Sequence, residues 1–179
     1  MAAPAKIFGA LAEFRTTKEL FHACEKVRDA GYKTWDAHSP FPVHGLEKAM
    51  GLSPSRVPWI VLVAGLTGAS GGMLLQWWVS TTAYPLVISG KPLFSWQAFV
   101  PITFELGVLF GALGAVLGML HLNKLPRYYN ALFRSRRFDR VTDNRFFISI
   151  ESRDPKFDAA QTMKFLESLG AMHVELVED

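Results

Sequence analysis

Two long apolar runs constrain the fold of this chain more than any other feature. The first covers residues 57–82, and no charged residue occurs between Arg56 and Lys91. The second covers residues 96–123 and contains one acidic residue, Glu105. An α-helix needs about 20 apolar residues to cross the hydrocarbon core of a bilayer. Each run exceeds that length, so the sequence predicts two transmembrane helices joined as a hairpin.

Charged and aromatic residues beside the two runs indicate how the hairpin is oriented. The connecting loop, residues 83–95, carries one cation, Lys91. The following juxtamembrane segment, residues 124–143, is basic, with Lys124, Arg127, Arg134, Arg136, Arg137 and Arg140. Because Lys and Arg are enriched on the cytoplasmic side of membranes, both chain ends are expected in the cytoplasm. Tryptophans near the ends of the runs favour this interpretation over a buried hairpin in a soluble protein.

The segment before the hairpin, residues 5–50, has the pattern of a strand, a helix and a second strand. Ile7–Phe14 is predicted to be the first strand. Thr16–Glu19 is a capping-box signature that begins a helix, and apolar residues then recur at helical spacing. Gly31 is expected to end this helix, and Tyr32–Ala37 to form the second strand. A proline-rich connector follows and leads to the hairpin.

The segment after the hairpin, residues 144–179, repeats this order. Arg145–Glu151 alternates apolar and polar residues as a strand does. Asp154 is predicted to cap the next helix, with Pro155 at its first position. Gly170 is expected to end that helix, in the position equivalent to Gly31. Residues 172–177 then form the last predicted strand.

The two soluble segments together predict one domain. Neither β-α-β half can bury its own apolar face, whereas the order β-α-β–β-α-β is that of a ferredoxin-like sandwich. The expected fold class is therefore an α+β membrane protein, in which the transmembrane hairpin is inserted between the halves of a ferredoxin-like cytoplasmic domain. Two independent pieces, each docked on a partner, are the alternative.

The sequence offers no set of residues for catalysis, metal binding or cofactor binding. Cys24 is the only cysteine, whereas iron–sulfur clusters and structural zinc sites need several ligands. There is no motif for covalent haem attachment and no glycine-rich phosphate loop. The mild positive charge lies beside the apolar runs, which favours a membrane surface over nucleic acid. Residues 1–14 lack the features of a signal peptide, so none is expected.

Several stretches together resemble one protein family over nearly the whole chain. They are Ser-Pro-Phe-Pro-Val-His-Gly at 39–45, Leu-Leu-Gln-Trp-Trp at 74–78, Tyr-Pro at 84–85, Gly-Lys-Pro-Leu-Phe-Ser-Trp at 90–96, Pro-Ile-Thr-Phe-Glu-Leu at 101–106, Leu-Pro-Arg at 125–127 and Thr-Asp-Asn-Arg-Phe-Phe at 142–147. The first and fourth are distinctive in combination. The chain resembles the family of small two-helix membrane subunits found in bacterial alternative complex III.

This resemblance implies a place in electron transport. The complex oxidises membrane quinol and passes electrons to a cytochrome c or another acceptor. The resemblance implies that quinol oxidation belongs to larger polytopic subunits, and that the haems c and iron–sulfur clusters lie in multihaem cytochrome c and iron–sulfur subunits. This chain is then expected to be an accessory, multi-pass subunit of the bacterial inner membrane, with no cofactor of its own and with lipids as further partners.

Glu105 is the strongest candidate for a functional residue. An acidic group inside a membrane helix is costly, by about 2.5–3.5 kcal/mol, and therefore usually faces protein or water. Three roles remain open: a hydrogen-bonded contact to a partner subunit, a place on a proton path, or a position near the water interface. Gln76 could reach Glu105 within the hairpin, since both residues lie toward the outer side.

Glycine-rich faces predict how the two helices pack. In the second helix the glycines fall on one face, roughly opposite Glu105, because successive residues are turned by about 100°. Small faces allow close helix approach. The glycines concerned are Gly65, Gly68 and Gly72 in the first helix, and Gly107, Gly111, Gly114 and Gly118 in the second. Packing through these faces would direct Glu105 away from the hairpin and toward lipid or a partner.

The remaining candidates are contact residues near the membrane. His44 lies in the stiff, proline-flanked connector and is expected to contact a partner or the domain itself. Arg127, Arg134, Arg136 and Arg137 are predicted to contact an anionic leaflet or a partner. The competing interpretation of the whole chain is a membrane-tethered sensor whose ferredoxin-like domain binds a ligand.

Overall fold

The chain consists of two units. The computed structural model describes residues 6–179. Residue 5, where the N-terminal half was expected to start, lies outside the described residues. So do residues 1–5 of the segment 1–14, for which no signal peptide was expected. One unit contains the described residues up to Ser53 together with Tyr128–Asp179, and the other is Pro54–Arg127. The helices are α1 (Thr17–Asp29), α2 (Leu46–Met50), α3 (Val57–Trp78), α4 (Trp96–Leu122) and α5 (Ala159–Ser168).

Within the described residues, four antiparallel strands form the sheet of the first unit. They are β1 (Ile7–Phe14), β2 (Trp35–His38), β3 (Phe146–Glu151) and β4 (His173–Glu178). The strand order is β2-β3-β1-β4, and every pairing is antiparallel. The two central strands, β1 and β3, come from opposite sides of the hairpin in the sequence. The sheet can therefore form only when both soluble segments fold together.

Capping and glycine signals in the sequence agree with the ends of α1. The Thr16 hydroxyl accepts from the backbone N–H of Glu19, and the Glu19 carboxylate accepts from the N–H of Thr16, which completes the predicted capping box. Gly31 follows the helix with φ of 82°, and Gly170 follows α5 with φ of 89°. Only glycine adopts this left-handed conformation without strain, which is why both predicted stops hold.

One face of the sheet forms the main core with the helices. Alternate residues of β1 and β3 point to this face, and α1 covers them with apolar side chains such as Leu20 and Val27, while α5 contributes Leu166. Cys24 is buried in the same core. Its burial, with smaller contributions from Asp36 and Glu25, raises the pKa of the Cys24 thiol to about 12. The thiol is therefore neutral and acts as a small apolar residue.

The other face of the sheet is covered by residues 128–142, which we call the arginine-rich strap. Two short 3₁₀ turns, Ala131–Arg134 and Phe138–Thr142, run across it. They bury Ala131, Leu132 and Phe138 against Leu11, Phe147 and Val177 of the sheet. Much of the predicted juxtamembrane segment is therefore a structural part of the soluble unit.

The predicted helix cap at Asp154 is wrong. Helix α5 begins at Ala159, and Asp158 caps it by accepting from the N–H of Gln161 at 2.8 Å. Asp154 is buried and instead accepts from the backbone N–H groups of Lys33, Thr34 and Lys156, at 2.5, 2.7 and 2.9 Å. This carboxylate joins the two soluble segments. It also explains why β2 begins later than predicted, since two N–H groups before it bind Asp154.

In the second unit, α3 and α4 pack closely through glycines. A Cβ atom at Gly68 would lie 2.4 Å from the carbonyl oxygen of Leu106, which leaves no room for any larger residue. Gly65 and Gly72 on α3, and Gly107, Gly111, Gly114 and Gly118 on α4, also face the opposite helix. Such contacts bring the two backbones together as in membrane helix pairs. After Trp78 the first helix continues as one π-helical turn, Val79–Ala83.

Replacement of Asp154 by Ala tests the link between the soluble segments. Burial alone would raise the pKa of Asp154, but hydrogen bonds from Thr34, Lys156 and Lys33 and the charge of Lys156 outweigh it, so the pKa lies below its usual value. At neutral pH we expect Asp154→Ala to lower the free energy of local opening by about 2 kcal/mol. This corresponds to roughly 30-fold faster amide exchange at Lys33 and Thr34.

This stabilisation is complete above the ordinary Asp pKa of about 3.9 and is lost as pH falls through the lower pKa of the folded state. The difference between wild type and variant should therefore narrow in acid. Hydrogen-exchange mass spectrometry measures it, and Asp143→Ala, at an exposed position, is the control. Equal exchange in both variants at neutral pH would contradict the role of Asp154.

Two glycines of α3 provide a matched test of helix packing. Gly68→Ala forces the helices apart and should destabilise the hairpin by roughly 1–3 kcal/mol, as overpacking does. A Cβ atom added at Gly71 would meet no atom within 4 Å, so Gly71→Ala should not lower the stability of the hairpin. Unfolding in a detergent titration, followed by the fluorescence of the hairpin tryptophans, measures both. A similar loss in the two variants would contradict the packing described.

Candidate functional site

The surface of the hairpin is the first candidate, because its apolar side chains point outward. Val57–Ala83 and Trp96–Leu122 are each long and apolar enough to cross a membrane. Large side chains such as Leu66 and Phe104 are exposed, at 60% and 70%. A soluble monomer does not present a continuous apolar surface of this extent. The hairpin therefore indicates membrane association.

Gln76 forms a polar contact between the two helices. Its side-chain amide nitrogen lies 3.1 Å from the carbonyl oxygens of Gly72 and Phe99, and 3.3 Å from the Thr103 hydroxyl. The amide has only two N–H groups, so the three acceptors share them. Within residues 6–179 no hydrogen bond joins Gln76 to Glu105, a pairing that the sequence left open. Gln76 serves α3–α4 packing instead.

Glu105 lies on the exposed side of α4, away from the glycines. Its neighbours along the same surface are apolar and exposed, including Ile102, Val108 and Leu109. No hydrogen bond or ion pair joins Glu105 to any residue within 6–179. The carboxyl group is thus available to a partner, a lipid headgroup or water, and it is the one acidic group on the two apolar helices.

A shallow apolar groove runs between α3 and α4 beside the glycine contact. Small residues form its floor, and branched and aromatic side chains such as Leu62, Val100 and Phe104 form its walls. The small residues are Gly65, Ala69, Gly107, Gly111, Ala112 and Ala115. A groove with this composition fits an apolar helix or an acyl chain.

The basic candidates lie in different surroundings. His44, Arg127 and Arg136 are exposed. Arg134 donates to the backbone carbonyl of Asp179 at 2.7 Å. Arg137 forms an ion pair of 3.4 Å with Glu13, which is only 3% exposed. Two strap arginines, Arg134 and Arg137, therefore have partners within their own unit, whereas the structure shows none for the side chains of Arg136 and Arg140 among residues 6–179.

Sequence analysis missed the polar residues on the covered face of the sheet. Glu13 also lies 3.3 Å from Arg145, although the Arg145 Nε–H is not aligned for a hydrogen bond. His38 contacts the Ser149 hydroxyl at 2.9 Å. Burial lowers the pKa of His38, while nearby Asp36 acts in the opposite direction, so the neutral imidazole is favoured. The alternation of β1 placed Glu13 on this face, but nothing in the sequence identified what covers it.

Metal-binding side chains are not gathered at one place. Among residues 6–179 there is no group of three or more His, Cys, Asp or Glu side chains positioned to hold a metal ion. The hairpin surface with Glu105 and the exposed side of the arginine-rich strap are the two candidate interaction surfaces.

Comparison with known proteins identifies the family. A search of curated proteins finds no match. The family model described as "Alternative complex III, ActD subunit" matches residues 8–176, which is nearly the whole chain and includes both apolar helices and all strands except parts of the first and last. The chain therefore belongs to the ActD subunit family of alternative complex III, as its sequence motifs indicated.

Proposed function

We propose that this chain is a non-catalytic accessory subunit that assembles or stabilises the polytopic, quinol-oxidising subunits of alternative complex III. The observation that carries the proposal is an exposed carboxyl group, Glu105, on an otherwise apolar helix surface. Family membership makes the chain a subunit of this complex, and the other subunits are the natural occupants of that surface. The haems c and iron–sulfur clusters of electron transfer would lie in those partners.

The proposal includes a specific membrane topology. Helices α3 and α4 cross the bacterial inner membrane, and both chain ends lie in the cytoplasm. The single cation of the connecting loop, Lys91, and the many cations after α4 support this orientation. With this topology both soluble segments lie on the same side of the membrane, as their common sheet requires.

A ferredoxin-like arrangement of the soluble unit is part of the same proposal. The order β2-β3-β1-β4 is the one produced when two β-α-β halves interlock. Pro54–Arg127 comes between β2 and β3 in the sequence, so the hairpin takes the place of the ordinary connection between the halves. The fold alone does not make this unit a ligand sensor. The family match does not favour the sensor alternative.

The free-energy cost of a carboxylate that faces lipid is the reason to expect a partner at Glu105. A charged carboxylate on a lipid-facing helix surface costs about 2.5–3.5 kcal/mol near the bilayer centre. A hydrogen-bond donor from a neighbouring subunit removes that cost. The apolar groove beside the glycine contact would receive a helix of the same neighbour. Proton transfer through Glu105 is the competing role for this side chain, and substitution separates the two.

Extraction in a mild detergent tests the accessory role. This chain should co-purify with large polytopic partners and show a visible haem c spectrum that the chain by itself lacks. Mass spectrometry of the purified sample identifies the associated subunits. Recovery of this chain from its native membrane without partners and without haem would contradict the proposal and make ligand binding by its soluble unit the next question.

Substitution of Glu105 distinguishes contact from proton transfer. Glu105→Gln keeps a hydrogen-bonding group, so we expect normal assembly, quinol turnover and proton release. Glu105→Leu removes the group and should reduce the co-purified partners by up to about tenfold, which corresponds to one lost hydrogen bond of ~1.4 kcal/mol. Co-purification and quinol oxidation by the purified complex measure the effects.

The control for Glu105 is another exposed polar residue of the same helix. Gln97 lies in the first turn of α4, and Gln97→Leu should leave assembly of the complex unchanged. If Glu105→Gln assembles normally but loses proton release, the side chain transfers protons and the contact role is wrong. If Glu105→Leu assembles like wild type, Glu105 does not hold a partner.

A further inference from the structure

The outward side of the arginine-rich strap combines exposed aromatic residues with cations. Tyr128, Tyr129 and Phe133 are 96%, 54% and 69% exposed. A soluble surface seldom leaves three large rings this exposed within six residues. Tyrosine and other aromatic rings are favoured at the headgroup level of a membrane, where one end of the ring is apolar and the other is wet.

Arginines lie among these rings. Arg134, Arg136 and Arg140 are exposed, and the Arg134 guanidinium lies 6.0 Å from the centre of the Tyr129 ring. The strap contains four arginines and a single acidic residue, Asp139. Arg137 pairs with Glu13 and Arg134 donates to the backbone carbonyl of Asp179, so Arg136 and Arg140 are the two strap arginines without such a partner among residues 6–179. Guanidinium groups are suited to binding phosphate because their donors are arranged as a fork.

The strap holds this array in place because its inner side is buried. Ala131, Leu132 and Phe138 pack on the sheet. Asn130 accepts from the N–H of Leu132 at 3.1 Å, and the Ser135 hydroxyl donates to the Glu175 carboxylate. The strap backbone that carries the outward rings and guanidinium groups is therefore held in place by contacts on its inner side. A preorganised surface loses less conformational entropy on binding than a flexible basic tail does.

We propose that the outward side of the strap binds the anionic headgroup surface of the bilayer, with the rings at the headgroup level and the arginines on lipid phosphates. Charge complementarity selects an anionic lipid, and exposed rings distinguish this surface from a general basic patch. Only five residues, 123–127, separate the end of α4 from Tyr128. A linker of this length extends at most about 20 Å. The inference rests on the proposed function in one respect, namely that α4 spans the membrane.

Lipid retention by the isolated full chain tests the proposal. The chain is reconstituted in bilayers of phosphatidylcholine with a minor fraction of phosphatidylglycerol and then extracted mildly. Native mass spectrometry gives the ratio of anionic to zwitterionic lipid that stays bound. The variant R136Q/R140Q removes two arginines for which the structure shows no ion pair within residues 6–179. We expect the ratio to fall roughly fivefold for each arginine removed.

Two further variants keep the result interpretable. K18Q/K26Q removes the same charge from exposed positions on α1 and should leave the ratio unchanged. R136K/R140K keeps the charge and should retain most of the preference, which a misfolded strap would not. An R136Q/R140Q ratio equal to that of wild type would overturn the proposal. An unchanged ratio, together with fewer partner subunits co-purified when the same variant is extracted from its native membrane, would assign the strap to a protein partner and would also overturn it.

The same experiment distinguishes a failure of the proposed function from a failure of the inference about the strap. If the wild-type chain retains neither lipid, the membrane-spanning part of the proposed function is wrong. If it retains both lipids without preference for the anionic one, only the inference about the strap is wrong. Y128A/F133A removes two rings without changing charge, and we expect it to lower the retention of both lipids.

Discussion

The glycine contact between α3 and α4 determines which surfaces of the hairpin face each other and which face outward. Because the backbones meet at Gly68 and its neighbours, the surfaces in direct contact are closed to any other molecule, and the groove beside them stays open. The remaining circumference must face lipid or protein. Glu105 lies on this outer circumference as a consequence, and Gln76 is turned inward to acceptors on α4. One packing contact thus separates the residues that hold the hairpin together from those available to partners.

A second constraint acts on the soluble unit, whose central strands belong to segments separated by the whole hairpin. The sheet pairs β1 with β3, and Asp154 binds backbone groups just before β2. The three N–H groups offset the desolvation cost of this buried carboxylate, which ties the segments at one point. On the sheet face away from α1 and α5, the strap buries the apolar side chains of Leu11, Phe147 and Val177.

Local signals in the sequence predicted much of this unit. The alternation of β1 and β3, the capping box at Thr16–Glu19 and the stops at Gly31 and Gly170 all depend on residues close in the chain, and these predictions are confirmed. The misassigned cap at Asp154 has the opposite cause. An aspartate before a proline resembles a helix start locally, but its acceptor atoms were taken by N–H groups more than a hundred residues away.

The sequence by itself determined that two helices could cross a bilayer, because length and hydropathy are additive properties of a segment. It also determined the family, through motifs spread along nearly the whole chain. Only the tertiary structure decided which strap arginines have partners, since Arg134 donates to the backbone of Asp179 and Arg137 pairs with Glu13, a residue that is buried in the fold. Likewise only the structure directed Gln76 away from Glu105. These side-chain contacts depend on which groups from distant parts of the chain meet in the fold, and no short stretch of sequence indicates which of them pair.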